Sequence, residues 1–174
     1  IRLIRSRAAD FHIDPTRLGA LGFSAGGHLA ADLAVSHGEQ IYPPVDAADH
    51  LSARPAFVGL VYPVISLDPK ETNGDSAPNL LGPSPTPELI AARSPALHVT
   101  KDTPPSFIAA ALDDGLVLPP NSIHWINACL SARASVEAHL FADGGHGFGL
   151  HLPKNLPGSR WPDLFALWMR KHGG

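Results

Sequence analysis

With a single cysteine, Cys129, the chain cannot close an internal disulfide. That thiol lies in an apolar helical stretch, which marks it as a buried structural residue and not a reactive one. Charge is also sparse. Asp, Glu, Lys and Arg make up 17% of the 174 residues, and the net charge is −3. Apart from the pair Arg170-Lys171, Lys and Arg are scattered singly, so no run forms the basic patch needed to bind nucleic acid or an anionic membrane, and neither partner is expected. No apolar run reaches the ~18 residues of a membrane span. There is no H-E-x-x-H and no cysteine pair, so no metal site is expected. No signal peptide is visible, but the sequence starts at Ile1 rather than Met, which leaves the compartment open.

Apolar residues, by contrast, account for 44% of the chain, a globular composition. A chain of this length can bury a real core, and residues 1–174 read as one domain. The 18 prolines and 16 glycines, about a fifth of the chain, fall below the level of low complexity. They imply long, shaped loops between regular elements.

Those elements alternate in kind. Ile1, Ile4, Ala8 and Phe11 have helical spacing over 1–12, and Asp14-Pro15 ends that helix. Residues 17–23, 57–64 and 106–112 read as apolar, buried strands, and 136–141 as a fourth strand with partial alternation. Helices are expected over 25–37, from Pro119 or Pro120 to about Arg133, and over 161–171. Leu29, Leu33 and Val35 are the expected packed face of the first of these; Leu164, Leu167 and Trp168 are that of the last. Residues 38–55 and 66–105 are expected to be mostly irregular, with a short helix near Glu88–Arg93, and to wall a site. Strands alternating with helices argue for an α/β fold, a mostly parallel sheet covered on both faces.

Gly22-Phe23-Ser24-Ala25-Gly26 matches G-x-S-x-G between a predicted strand and a predicted helix. That setting is a nucleophile elbow, a strained turn that lifts the serine hydroxyl toward a base. A phosphate-binding turn is the bland alternative, but the Lys of a P-loop is absent and the G-x-G-x-x-G spacing fails. The partners must follow in the order acid, then histidine. Asp113 and Asp114 both follow the third strand; only one can be the acid, and Asp114 is preferred, with the other a turn former before Gly115. His146 follows the fourth strand in the glycine loop 143–149. The preferred acid stands 90 residues after the serine and the histidine 32 further on. A serine is a poor nucleophile until a base takes its proton, and a carboxylate then orients and supports the imidazole. His28 follows the elbow too closely to turn back on Ser24, and His98 and His151 have no motif around them.

The stretch IDPTRLGALGFSAGGHLA resembles the elbow of bacterial α/β-hydrolase esterases of the acetyl-xylan and feruloyl esterase-like (BD-FAE-like) group. The resemblance continues through ARPAFVGLVYPVISLD, PPSFIAAALDDGLVLPPNS and EAHLFADGGHGFGL, nearly the whole chain. It implies Ser24 as nucleophile, Asp114 as acid and His146 as base. It further implies hydrolysis of small acyl esters of sugars and alcohols, acetylated xylan among them, without cofactor. A secreted or periplasmic location is compatible with it. Ala110 stands where relatives often have histidine, and Gly115 where proline or a charged residue is common; neither is a catalytic group.

The resemblance also implies about four further strands and an H-G-G loop ahead of the elbow. On that reading the chain is the C-terminal portion of the fold. The Ala25 N–H supplies one oxyanion donor, and no H-G-G segment precedes the elbow within the chain to supply the other. The strand at 17–23 is then open on one side, which suggests either a homodimer through that edge or a piece of a longer protein. An esterase is the leading expectation. A catalytically silent module that binds a carbohydrate or a partner chain is the second. A serine peptidase of the prolyl-oligopeptidase kind, which shares the elbow, is the third.

Overall fold

The computed structural model describes residues 1–71 and 75–172. Its centre is a four-stranded sheet in the order β1 (Ala20–Phe23), β2 (Val58–Val61), β3 (Ser106–Ala111) and β4 (Val136–Phe141), every pair parallel. Every residue of β2 and β3 is buried, as the apolar runs VGLV and FIAAA require of central parallel strands, and the Ser106 hydroxyl that opens β3 accepts Trp125 Nε1–H. The strand β2 stops short of its apolar run where the chain turns away at Tyr62, which has positive φ, and β1 begins only at Ala20 and ends, as expected, at Phe23.

One face of the sheet packs on α2 (Ala25–Ser36) and α5 (Pro120–Ala132), where Ala30, Ala31, Ala34, Leu60, Ile108, Trp125 and Cys129 form a single cluster. Cys129 is fully buried there. The other face packs on α6 (Trp161–Lys171), whose Trp161, Phe165 and Trp168 lie one helical face apart and meet Phe57 and Phe107. Phe57 and Trp168 meet edge-on at 5.7 Å, and Phe57 and Phe165 at 6.3 Å, geometries that suit the ring quadrupoles.

Two helix faces differ from the pattern-based expectation. In α2 the inward residues are Gly27, His28, Ala30, Ala31 and Ala34, while Leu29 is 70% exposed. The helix runs so close to the sheet that a Cβ at Gly27 would come within 2.6 Å of the Pro63 Cβ, and its inward residues are small except His28, which hydrogen-bonds the Arg93 carbonyl. In α6 Phe165 takes the inward place and Leu167 faces out. The first helix is shorter than expected: α1 spans only Arg2–Ser6 and buries none of its residues, so Ile4 and Phe11 stay exposed. Between β2 and β3 the chain forms α3 (Ser76–Leu81) and α4 (Pro87–Ala92), where sequence patterning indicates a single short helix. Thr86 caps α4 by accepting the Leu89 N–H.

Because all four strands run in one direction, their carboxyl ends share one rim of the sheet. Ser24, Tyr62, Asp113–Asp114 and the 143–149 loop all emerge on that rim. At the opposite side of β1, the amides of Ala20 and Ser24 donate to Phe57 and Val61 of the neighbouring chain segment. Alternation therefore turns the Leu21 and Phe23 amides outward, and β1 has no second neighbour among the described residues.

Candidate active site

Ser24 joins β1 to α2 with φ 53° and ψ −118°, a sparsely populated conformation for a residue with a side chain. Holding it there costs of order 1–3 kcal/mol, which the surroundings must offset. They do so by pinning the backbone: the Ser24 N–H donates to the Val61 carbonyl at 3.0 Å, and its own carbonyl accepts Val64 N–H at 3.1 Å. Gly22 makes the turn possible, since a Cβ there would lie 2.0 Å from the Gly26 carbonyl oxygen. Gly26 itself has open space around its missing Cβ. Ala25 is the first residue of α2, so its N–H has no acceptor one turn back in the helix.

The structure brings Ser24, His146 and Asp114 into one row. Ser24 Oγ lies 2.8 Å from His146 Nε2, and His146 Nδ1 lies 2.7 Å from Asp114 Oδ2. A carboxylate can only accept, so it draws the imidazole proton to Nδ1 and leaves the Nε2 lone pair facing the serine hydroxyl. Asp114 is held in turn by its own loop: its Oδ1 accepts the Leu116 and Val117 N–H groups, each at 2.9 Å. Its side chain is 2% exposed and that of His146 16%, so water competes little for this pair. Asp113, the other candidate acid, does not touch the imidazole; its Oδ1 accepts the Gly145 N–H at 2.7 Å.

His146 rides on a loop in which Gly145, Gly147 and Gly149 all have positive φ, a path that side chains would resist. The Tyr62 ring meets the imidazole edge-on at 5.0 Å and Phe148 at 4.6 Å. The Tyr62 hydroxyl accepts the Gly149 N–H at 3.2 Å, and the Gly149 carbonyl accepts Trp161 Nε1–H at 2.8 Å. Burial, reinforced by the Asp114 carboxylate, pushes the Tyr62 phenol above its ordinary value, so the hydroxyl stays neutral. Sequence reasoning passed over Tyr62. Its position, first after a strand on the site's rim, is the signal that could have found it.

Beside Ser24 lies a cavity of about 600 Å³. Val64, Leu67 and Val117 give it apolar walls, and Asp75, Ser76 and Asn79 of the α3 segment a polar lip. No residue of 38–55 lines it, contrary to expectation, whereas Leu67, Asp75, Ser76, Asn79 and Leu80 come from the other expected wall, 66–105. His28 borders it but is engaged elsewhere, its Nε2 lying 2.7 Å from the Arg93 carbonyl oxygen. A cavity of about 640 Å³ between α4 and α5 includes none of the three residues in the row.

The BD-FAE family model matches residues 1–128. The acetylxylan esterase of Xylanibacter ruminicola is 34% identical over 152 residues, covering 85% of this chain and 29% of its own. Endo-1,4-beta-xylanase B of Butyrivibrio fibrisolvens is 36% identical over 147 residues, covering 84% of this chain and 23% of its own. Among solved structures, the acetyl ester-xyloside bifunctional hydrolase of Caldicellulosiruptor lactoaceticus superposes with a TM-score of 0.90 at 35% identity, over 98% of this chain and 62% of that one. The chain thus spans less than a third of each curated relative and under two thirds of the solved one. In overall fold and in sequence alike, this chain belongs to the BD-FAE family of α/β-hydrolase carbohydrate esterases.

Proposed function

We propose that this chain hydrolyses small carboxylic esters through an acyl-enzyme on Ser24. The observation that carries the reading is the row Ser24–His146–Asp114, with contacts of 2.8 and 2.7 Å at the mouth of a cavity. In the proposed reaction Ser24 Oγ attacks the ester carbonyl carbon while its proton passes to His146 Nε2. Asp114 supports the imidazolium that forms. The carbonyl oxygen becomes an oxyanion, and the Ala25 N–H at the start of α2 is the donor assigned to it. As the intermediate collapses, His146 returns the proton to the departing alcohol and the acyl group remains on Ser24. Water then attacks with the same base, releasing the acid and restoring the serine.

Acetylated sugars, xylan among them, are the substrates proposed. The names of the matching acetylxylan esterase and acetyl ester-xyloside hydrolase support this, as does a cavity with apolar walls and a hydroxyl-matching lip. The test is p-nitrophenyl acetate turnover beside a Ser24→Ala variant, followed by acetate release from acetylated xylan. Equal rates for the two proteins would sink the enzyme reading.

The silent-module reading rests on a separate observation, that residues 1–23, ahead of the elbow, hold no H-G-G segment. It predicts binding of acetylated xylo-oligosaccharides in calorimetry with no acetate released. The strain held at Ser24 favours catalysis over that alternative, because a binding surface has no use for it.

A further inference from the structure

We infer that Asp113 is a positioning residue for His146, holding by its carboxylate the glycine loop that carries the base. The inference rests on the esterase reading above. Asp113 and Asp114 are consecutive on the turn after β3, yet they reach different parts of the same loop. Asp114 Oδ2 accepts from the imidazole itself, and Asp113 Oδ1 accepts the N–H of Gly145, the residue just before His146. Both contacts are 2.7 Å.

The loop needs such a hold. Gly145 and Gly147 flank His146 with φ of 62° and 75°, and glycine there leaves the backbone free to take many other paths. On the far side the loop is anchored at Gly149, through the Tyr62 hydroxyl and the Trp161 indole. On the near side the anchor is Asp113. Its carboxyl is held below the usual carboxylate range, first by the Gly145 N–H and then by that of Gly144, so it stays ionised and a strong acceptor. The side chain is exposed, and a single bond in water adds little to global stability. Its consequence is therefore geometric: it keeps Nε2 within hydrogen-bond reach of Ser24 Oγ.

The test compares Asp113→Ala with Asp113→Asn, whose amide oxygen still accepts the Gly145 N–H. In Asp113→Ala, kcat for p-nitrophenyl acetate is expected to fall about 10- to 100-fold, the scale of a misplaced catalytic group. KM stays within about twofold, since ground-state binding is untouched. The thermal midpoint stays near wild type, and Asp113→Asn recovers most of kcat. A second readout needs no turnover: the low-field proton resonance of the His146–Asp114 hydrogen bond should broaden or shift in the Ala variant and return in the Asn variant. A wild-type kcat in Asp113→Ala, equal losses in both variants, or an unmoved resonance overturns the inference. If the wild type turns over no ester while the resonance still responds to Asp113, the esterase reading fails and the positioning role stands.

Discussion

Two neighbouring carboxylates on one turn divide their work at single-residue precision, and mutations should separate them. Asp114→Asn keeps an oxygen for the Leu116 and Val117 N–H groups but presents the wrong partner to the imidazole. On the proposed mechanism kcat falls by about 10⁴ with little change in fold, readable by steady-state kinetics beside circular dichroism. The two glycines of the elbow should separate as sharply. Gly22→Ala drives a methyl into the Gly26 backbone and is expected to cost ~2 kcal/mol or more in urea unfolding, with loss of activity. Gly26→Ala meets open space inside a helix and is expected to be neutral or to stabilise by ~0.5–1 kcal/mol. The motif therefore carries one glycine that the turn requires and one that it tolerates. Equal destabilisation by the two changes would contradict this account.

Elements show where sequence patterning succeeds and where it stops. Residues 136–141 and 161–171 match the observed β4 and α6, because each is a strong local pattern between clear turn signals. The three residues of the row were also legible, since each lies in the turn or loop that follows an expected strand and the motif fixes their order. The inward face of α2 was not. Leucines usually mark a packed face, but the close approach at Pro63 selects Gly27, Ala30, Ala31 and Ala34 and turns Leu29 to solvent. Distance between layers is a tertiary property, invisible in a single helix. Asn121 was missed for a similar reason. Fully buried in α5, its Oδ1 accepts the N–H groups of Ile65 and Ser66 at 2.8 Å each, and its amide donates to the Glu71 and Leu118 carbonyls. One side chain thus fixes the start of the segment that walls the cavity. Asn121→Ala orphans two backbone donors and is expected to cost about 3 kcal/mol, since each unsatisfied buried group costs ~1–3 kcal/mol. Chemical denaturation measures it; a loss below half of that would mean water replaces the amide.

At the scale of the whole molecule, the open side of β1 and the buried thiol each lead to a measurable property. Leu21 and Phe23 are 45% and 36% exposed beside an edge whose amides point outward. We propose that the 174-residue chain on its own pairs through this edge with a second copy. Sedimentation should then show concentration-dependent association, reduced by Leu21→Lys, and a monodisperse monomer at all concentrations would refute it. Burial pushes the Cys129 thiol up to about 11. Its folded value is raised, so the neutral form that the fold prefers contributes stability in full below the unfolded value. That stability is lost as pH rises through about 11. Thermal midpoints should therefore decline above pH ~9 more in wild type than in Cys129→Ala. A thiol reagent at neutral pH should label Cys129 only as fast as the molecule opens.

The row on the sheet's rim also has a history in time. Ser24 and His146 stand 122 residues apart. At ribosomal rates of ~5–20 residues per second, the serine precedes its base by roughly 6–24 s during synthesis. Throughout that interval Ser24 is an ordinary alcohol, because His146 follows β4, the last of the four strands along the chain, and has not yet been made. On the proposed mechanism, hydrolytic power therefore arrives only once β4 and the loop after it have been made and have taken their places beside Ser24.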